Sequence, residues 1–273
     1  MQMLSSCICQ YDHVDTVWFK RWSSSIGLPD YPEGGVPPGY RKYWEWAAIL
    51  EVLEQRGKLQ PGMKGIGFAV GTEPLTCILA NHGATVLASD LSIEEQVQEW
   101  ASTNQHAATL DAIYRPHLIE RSQFDQRVSF KPVNMAHLED LPSAEYDFAW
   151  SSCAFEHIGN LEDGLSFVIQ AMRLLKPGGV AVHTTEINLS SNDDTLFDSH
   201  MCIYRKRDIE DLDRRLRLIR CGIENMNWDA GCHENDLNYD SPPYGQSGRP
   251  HIKLELGGFI TTSCMIVVRK GGE

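Results

Sequence analysis

The chain has 273 residues, 42% hydrophobic and 22% charged, with 24 Lys+Arg against 37 Asp+Glu for a formal net charge of −13. That length accommodates one large α/β domain or two small ones, and the composition rules out intrinsic disorder, a collagen-like repeat and a coiled coil. So acidic a chain does not attract a phosphate backbone over its surface, and nucleic acid is not an expected partner. No apolar run approaches the ~20 residues of a membrane span. The N-terminal segment lacks a basic stretch followed by an apolar core, so no signal peptide is expected. Eight cysteines are scattered along the chain, several in strand-like or helix-like segments. Reduced, packed thiols and a cytoplasmic location follow from that pattern. The Cys7-Ile8-Cys9 pair is too close and isolated for a zinc site.

In chain order, the first forty residues combine Tyr11, Trp18, Phe19, Trp22, Tyr31 and Tyr40 with a Pro/Gly-rich stretch from Leu28 to Gly39. Such a stretch excludes a continuous helix or central strand and predicts an arm that packs by its aromatics. Tyr43, Trp46, Ala47, Leu50 and Leu53 fall at helical spacing, predicting a helix from Arg41 to about Arg56 that Gly57 and Pro61-Gly62 close. Residues 1–60 are therefore read as an extension, a lid or packing element, and 61–273 as the main domain. Gly65–Val70 predicts a strand, Pro74–Asn81 a helix stopped by Gly83, and Ala84–Asp90 a strand ending in an acid. Ser92-Ile-Glu-Glu95 reads as a capping box. Arg127–Val133 and Tyr146–Ser151 read as strands. A helix carries Leu165, Val168, Met172 and Leu175 and ends at Lys176-Pro-Gly-Gly179. Val180–Thr185 is a fifth strand, Asp208 caps a helix, and Leu254–Arg269 holds two strand-like runs around Gly257-Gly258. Strands alternating with helices predict a mostly parallel sheet covered on both faces.

The segment Gly65-Ile-Gly-Phe-Ala-Val-Gly-Thr-Glu-Pro-Leu75 runs from a strand through a small-residue turn into a helix, which lets a ligand approach the backbone. Asp90 follows Gly71 by 19 residues at the end of the next strand. A carboxylate there can accept hydrogen bonds from two vicinal ribose hydroxyls; the bland alternative is a helix cap. Asn134-Met135 ends the third strand, Tyr146-Asp-Phe-Ala-Trp-Ser-Ser-Cys-Ala-Phe-Glu-His157 contains the fourth, and Leu174-Leu-Lys-Pro-Gly-Gly179 precedes the fifth. In this order and spacing the chain resembles the class I S-adenosylmethionine (SAM)-dependent methyltransferases from about Gly62 to Ile187. The resemblance implies a Rossmann-like, doubly wound sheet of about seven strands, the last antiparallel, behind an N-terminal helical extension. It also departs from the family: Gly67 stands where the family has an acid, and of the glycine turn only Gly71 is an expected glycine. The acidic contact to the cofactor's ammonium group must then come from elsewhere, Glu73 being the candidate, or be weaker.

The resemblance implies that the backbone of Ala69, Val70, Gly71 and Thr72 approaches the methionine moiety. Asp90 would hold the ribose, with Leu91 beside the adenine, Asn134 at its edge and Met135 against its face, while Ser151 and Ser152 face the sulfonium. Trp150 is read as a core residue. Methyl transfer needs alignment and exclusion of water more than acid–base chemistry, but a hydroxyl acceptor gains from a general base. His157 is the first candidate, the alternative being that Glu156-His157 caps the next helix; His183 and Glu186 are second candidates for the acceptor pocket. Asp193, Asp194, Asp198 and His200 form one loop group and His233, Asp236, Asp240 and His251 another, but neither has a tight ligand spacing, so no bound metal is expected. Residues 222–250 read as a long irregular loop for substrate recognition. The expected activity is SAM-dependent methylation of a small polar acceptor, a sugar or sugar-containing metabolite, on oxygen, with S-adenosylhomocysteine as product. The alternatives are a non-catalytic SAM-fold scaffold, a peptide or protein acceptor, and a nicotinamide dinucleotide in the same turn. Against the last stand the missing GxGxxG and the missing Tyr-x-x-x-Lys pair.

Overall fold

The computed structural model describes residues 3–28, 40–92, 106–198, 201–246, 248–249 and 251–272. The Pro/Gly stretch after Leu28, the capping box beyond Ser92 with the helix it opens, and His200 lie outside the described residues. The N-terminal part forms β1 (Cys7–Ile8), a 3-10 turn (Tyr11–Asp15), α1 (Val17–Ile26) and α2 (Tyr40–Gln55). There follow β2 (Lys64–Phe68), α3 (Leu75–Asn81), β3 (Thr85–Asp90), α4 (Arg121–Arg127), β4 (Val128–Pro132) and β5 (Tyr146–Ser152). The chain ends with α5 (Leu161–Leu174), β6 (Leu175–Asn188), α6 (Lys206–Leu218), β7 (Cys221–Ile223), β8 (Leu254–Leu256) and β9 (Phe259–Lys270).

The strands form one sheet in the order β1-β9-β6-β5-β2-β3-β4, with β7 and β8 also on β9. Neighbours from β4 to β6 are parallel, while β9 runs antiparallel to β6. The expected seven-strand pattern with its last strand reversed is present as β4-β3-β2-β5-β6-β9-β7. The short β1 and β8 add to it. Three short pieces tile the outer edge of β9: β8 at Phe259–Thr261, β1 at Cys264–Met265 and β7 at Val268–Lys270. A long apolar edge strand is thereby kept from pairing with another chain.

Side-chain alternation sorts the core into two faces. Phe148, Trp150, Val180, Val182, Met265 and Val267 join α1, α2 and α3 on one. Ile66, Phe68, Ala149, Ala181, Ile266 and Val268 pack against α5 and α6 on the other. Register explains the glycines of β2. Gly65 lies beside Phe148 and Gly67 beside Trp150. A Cβ at Gly65 would fall 2.2 Å from the Phe148 ring, and one at Gly67 2.3 Å from the Trp150 indole. The indole thus fills the space an acid at position 67 would need. Gly67→Ala is expected to cost about 1–3 kcal/mol by overpacking, read as a lower urea midpoint with an unchanged m-value. A midpoint equal to wild type would mean the indole has room to move.

Three local expectations need correction. The aromatic arm contains a helix, α1, which Thr16 caps by accepting a bond from Phe19 N at 3.3 Å and which Gly27 ends at φ 78°. The residue at the cap of α6 is Arg205; Asp208 sits three positions on and accepts from Arg205 N at 2.8 Å. Lys176-Pro-Gly-Gly179 does not separate helix from strand, because β6 already begins at Leu175 and the four residues make an irregularity against β5. No described helix is long and apolar enough to cross a membrane. All eight cysteines are free thiols.

Candidate active site

In a doubly wound sheet the crevice opens where neighbouring connections leave in opposite directions, at the carboxyl ends of the strands. Here that point lies between β2 and β5. Each strand runs into a non-glycine residue at positive φ, Ala69 at 47° after β2 and Cys153 at 42° after β5. Such conformations cost about 1–3 kcal/mol and gather at functional sites. Between them opens a cavity of about 560 Å³, walled by both turns, by the ends of β3 and β4 and by α2.

The β2 turn is stapled to β3 twice. Val70 N donates to Ser89 O at 3.0 Å, and Gly71 N to Asp90 Oδ2 at 3.1 Å. Asp90 also accepts from Ala107 N at 3.1 Å through Oδ2 and from Leu91 N at 2.9 Å through Oδ1. His106 lies against it, Nε2 at 3.7 Å from Oδ1 and at 2.8 Å from Leu91 O. Burial raises the Asp90 carboxyl above the usual aspartate value, against the pull of these N–H donors and of His106. Three of about four acceptor positions on the carboxylate are used, which leaves capacity for a ligand hydroxyl. Ala69, Gly71, Thr72, Glu73, Leu91, Asn134 and Met135 line the same cavity. Asn134 Oδ1 accepts from Ala136 N at 3.0 Å, shaping the turn after β4. Val70 has its side chain buried in the core and does not line the cavity.

Period-two alternation separates the two serines. Ser152 lines the cavity. Ser151 points into the α5 face, where its Oγ lies 2.8 Å from His183 Nδ1. His183 is fully buried, with the rings of Phe155 and Phe167 at 6.1 and 5.5 Å. Burial lowers its pKa to about 3, so it stays neutral. Glu186 is ion-paired with Arg41 and accepts from Thr261 Oγ1 at 2.7 Å. The structure thus brings neither His183 nor Glu186 to the cavity, and it removes Ser151 from the cofactor side. His157, on a single 3-10 turn (Phe155–His157), does line it.

Lys42 and Glu45, unnoticed in the sequence, come to the site on α2 beside Trp46. Lys42 and Trp46 form part of the cavity wall, and Glu45 is buried beneath. Glu45 Oε1 accepts from Ser263 Oγ at 2.6 Å and Cys153 Sγ at 3.1 Å, while Oε2 accepts from Ser152 Oγ at 2.8 Å and Thr184 Oγ1 at 3.1 Å. Lys42 Nζ stands 3.2 Å from Oε2. Desolvation opposes the Glu45 charge, but Lys42, Arg41 and the hydroxyl donors outweigh it and pull its pKa to about 2. Burial likewise works against the Lys42 ammonium, and the surrounding carboxyls hold it above the ordinary lysine value. Glu73 behaves in the opposite way: burial pushes it up to about 7, against the pull of Lys42 and Trp46.

The raised Glu73 pKa has a signed consequence. Between its unfolded value of 4.5 and about 7 the folded state binds the extra proton, so this group's contribution to stability falls as pH rises through that window. Glu73→Gln is therefore expected to gain stability relative to wild type from pH 4.5 to 7 in parallel urea titrations. A difference independent of pH would show that Glu73 titrates normally.

The second group considered for metal is otherwise engaged. Lys253 Nζ bonds Asp236 Oδ1 at 2.8 Å, His251 Nδ1 lies 2.9 Å from Asp240 Oδ2, and His233 stacks on Tyr11. No cluster of metal-ligating residues occurs among the described residues. The loop at 222–250 packs on the N-terminal arm, with Gln10 Nε2 donating to Asp229 O at 2.6 Å and Tyr11 N to Asp236 Oδ1 at 3.0 Å. None of its described residues lines the cavity, contrary to the recognition role expected for it.

Residues 66–183 match the family model of a methyltransferase domain. No curated protein matches the sequence. Solved structures do. The [4+2]-cyclase SpnF is 14% identical with a TM-score of 0.56 over 100% of both chains. A Galdieria sulphuraria protein, provisionally named a sarcosine dimethylglycine methyltransferase, is 15% identical with a TM-score of 0.51, covering 94% of this chain and 99% of that one. Magnesium protoporphyrin IX methyltransferase from Synechocystis, solved with S-adenosylhomocysteine, is 15% identical with a TM-score of 0.49 over 95% and 97% of the two chains. At these identities the likeness is one of fold. Over residues 66–183 this chain is therefore similar to a methyltransferase domain, on a Rossmann-like fold.

Proposed function

We propose that this chain transfers the methyl group of SAM to a small polar acceptor, on a hydroxyl of a sugar or sugar-containing metabolite, in the cytoplasm. The observation that carries the reading is the cavity at the ends of β2 and β5, in which the glycine turn and the Asp90 carboxylate meet a wall made by α2. The chain's own groups fit the cofactor. Asp90 retains an acceptor position for ribose hydroxyls, Gly71 keeps a Cβ out of the turn, and Met135 offers an apolar surface beside Leu91. SAM supplies, when bound, a methyl group on a sulfonium that already serves as leaving group. Residues 1–60 then act as a packing extension that also closes one side of the site.

The residues do three things in this reading. The two strained turns hold the reacting groups at fixed positions, which lowers the entropic cost of alignment. α2, with Trp46, covers the site and excludes water. His157 accepts the acceptor's hydroxyl proton. With methyl-labelled SAM and a panel of hydroxylated metabolites, labelled product is expected from wild type. His157→Gln is expected to lower kcat by about 10²–10⁴-fold with little change in KM for SAM. Equal kcat would remove His157 from the chemistry. A second reading, a protein that binds SAM without transferring methyl, draws on the absence of an acid at position 67; binding without turnover on any hydroxyl, amine or peptide acceptor would favour it.

A further inference from the structure

A lysine ammonium carries three N–H donors and a charge that burial opposes, so one drawn inside a fold is expected to have its donors met. Lys42 departs from that rule. It is the one lysine or arginine among the described residues that wall the cavity, and 41% of its side chain stays exposed. Its Nζ has a single hydrogen-bond acceptor, Glu45 Oε2 at 3.2 Å. Glu45 has little need of it. Ser263 and Cys153 donate to Oε1, and Ser152 and Thr184 to Oε2. Those four fill about four acceptor positions of a carboxylate. The lysine makes a fifth contact, the longest of the set. Glu45 thus holds the ammonium charged by proximity, while two of its three donors are left for the cavity.

The place of the ammonium in the fold selects its ligand. Cys153 and Glu45 stand foremost among the groups that keep Lys42 charged. Cys153, at the end of β5, opens the turn that brings Ala154, His157, Ile158 and Gly159 to the wall. In the sheet order β5-β2-β3 that wall lies two strand positions from Asp90, about 10 Å. A cofactor laid from the end of β3 toward the end of β2 leaves the β5 side to the acceptor. A cation with spare donors beside His157 favours an anion that arrives together with the hydroxyl. A monoanion fits better than a phosphate, because the ammonium supplies one charge and the ionised Glu45 repels a second negative one. We propose that Lys42 is a specificity-determining residue: it pairs with a carboxylate of the acceptor, so that the methylated hydroxyl belongs to a sugar acid and not to a neutral sugar. The inference rests on the methyl-transfer reading above and narrows its acceptor.

Matched acceptors separate charge from shape. Transfer from methyl-labelled SAM is measured on glucuronate, galacturonate and gluconate, on glucose, galactose and sorbitol as their uncharged counterparts, and on glucose 6-phosphate. The enzyme is the full chain as wild type, Lys42→Met and Lys42→Arg. Lys42→Met keeps an unbranched stem to pack and leaves Glu45 its four uncharged donors. Wild type is expected to favour an acid over its counterpart, and over glucose 6-phosphate, by about tenfold or more in kcat/KM, the factor for one charge-assisted hydrogen bond. Lys42→Met is expected to lose that preference through a higher KM for the acid, and Lys42→Arg, which keeps the charge, to retain it. Calorimetric titration with S-adenosylhomocysteine is expected to give Lys42→Met an affinity within about twofold of wild type, which also shows the variant folded. Equal use of acids and neutral sugars, a preference for the phosphate, a preference for acids that survives Lys42→Met, or a tenfold loss of S-adenosylhomocysteine affinity in that variant overturns the proposal and leaves the methyl-transfer reading standing. Product from no member of the panel, with S-adenosylhomocysteine bound, overturns the proposal and the sugar-acceptor reading together.

Discussion

Asp90→Ala is expected to weaken SAM binding by about 10²-fold or more. Its carboxylate joins three backbone segments, through the N–H groups of Gly71, Leu91 and Ala107. Losing it removes a charge-assisted bond to a ligand hydroxyl, worth about 1.5–3 kcal/mol. It also frees the glycine turn from β3, so cofactor contacts that Asp90 does not make itself weaken with it. Asp90→Asn separates the two effects. An amide keeps one acceptor oxygen but turns an NH₂ group toward backbone donors, so the turn is disturbed and the ligand bond is weakened without a cavity being created. Calorimetric titration of both variants checks this; Asp90→Ala binding SAM as tightly as wild type would sink the assignment.

Glu45→Ala should have the largest effect on stability, about 3–5 kcal/mol, because it leaves several buried hydrogen-bond donors unsatisfied at about 1–3 kcal/mol each. The carboxylate links α2 to the ends of β5, β6 and β9, and its loss strands four donors and the Lys42 ammonium together. Its pKa of about 2 against 4.5 unfolded means that its contribution is complete above pH 4.5 and is lost as pH falls toward 2. The deficit of the variant in urea unfolding should therefore be largest near neutral pH and shrink on acidification. A loss under about 1 kcal/mol at pH 7 would mean that the hydroxyls repartner with one another.

Much of the fold is legible because it depends on local pattern. The strand runs and the alternation with helices follow from apolar periodicity, and the separation of Gly71 from Asp90 reflects one β-α-β step. Ser151 and Ser152 show where local pattern stops. Both sit at the end of a strand, and which one faces the ligand depends on the phase of the pleat, fixed by Trp150 packing over Gly67. His183 and Glu186 are polar residues in a strand whose ends are covered by Phe167 and by Arg41, contacts made by distant segments. Glu45 was the least visible. On a helix with an apolar stripe an acid reads as a solvated face, and only the approach of α2 over three strand ends buries it. Lys42 and Glu45 at i and i+3 between aromatics were the one available signal.

Fold alone does not choose the reaction. The [4+2]-cyclase SpnF matches this chain end to end at a TM-score of 0.56, and a protein provisionally named a methyltransferase matches 94% of it at 0.51. The site decides, and its first requirement is the cofactor. The most direct measurement is calorimetric titration of ligand-stripped protein with SAM, S-adenosylhomocysteine and NAD in parallel. Saturable binding of both adenosyl ligands at one site per chain, with no heat from NAD, is the predicted result. Binding of NAD alone, or of none of the three, would contradict the assignment of this cavity to a methyl donor.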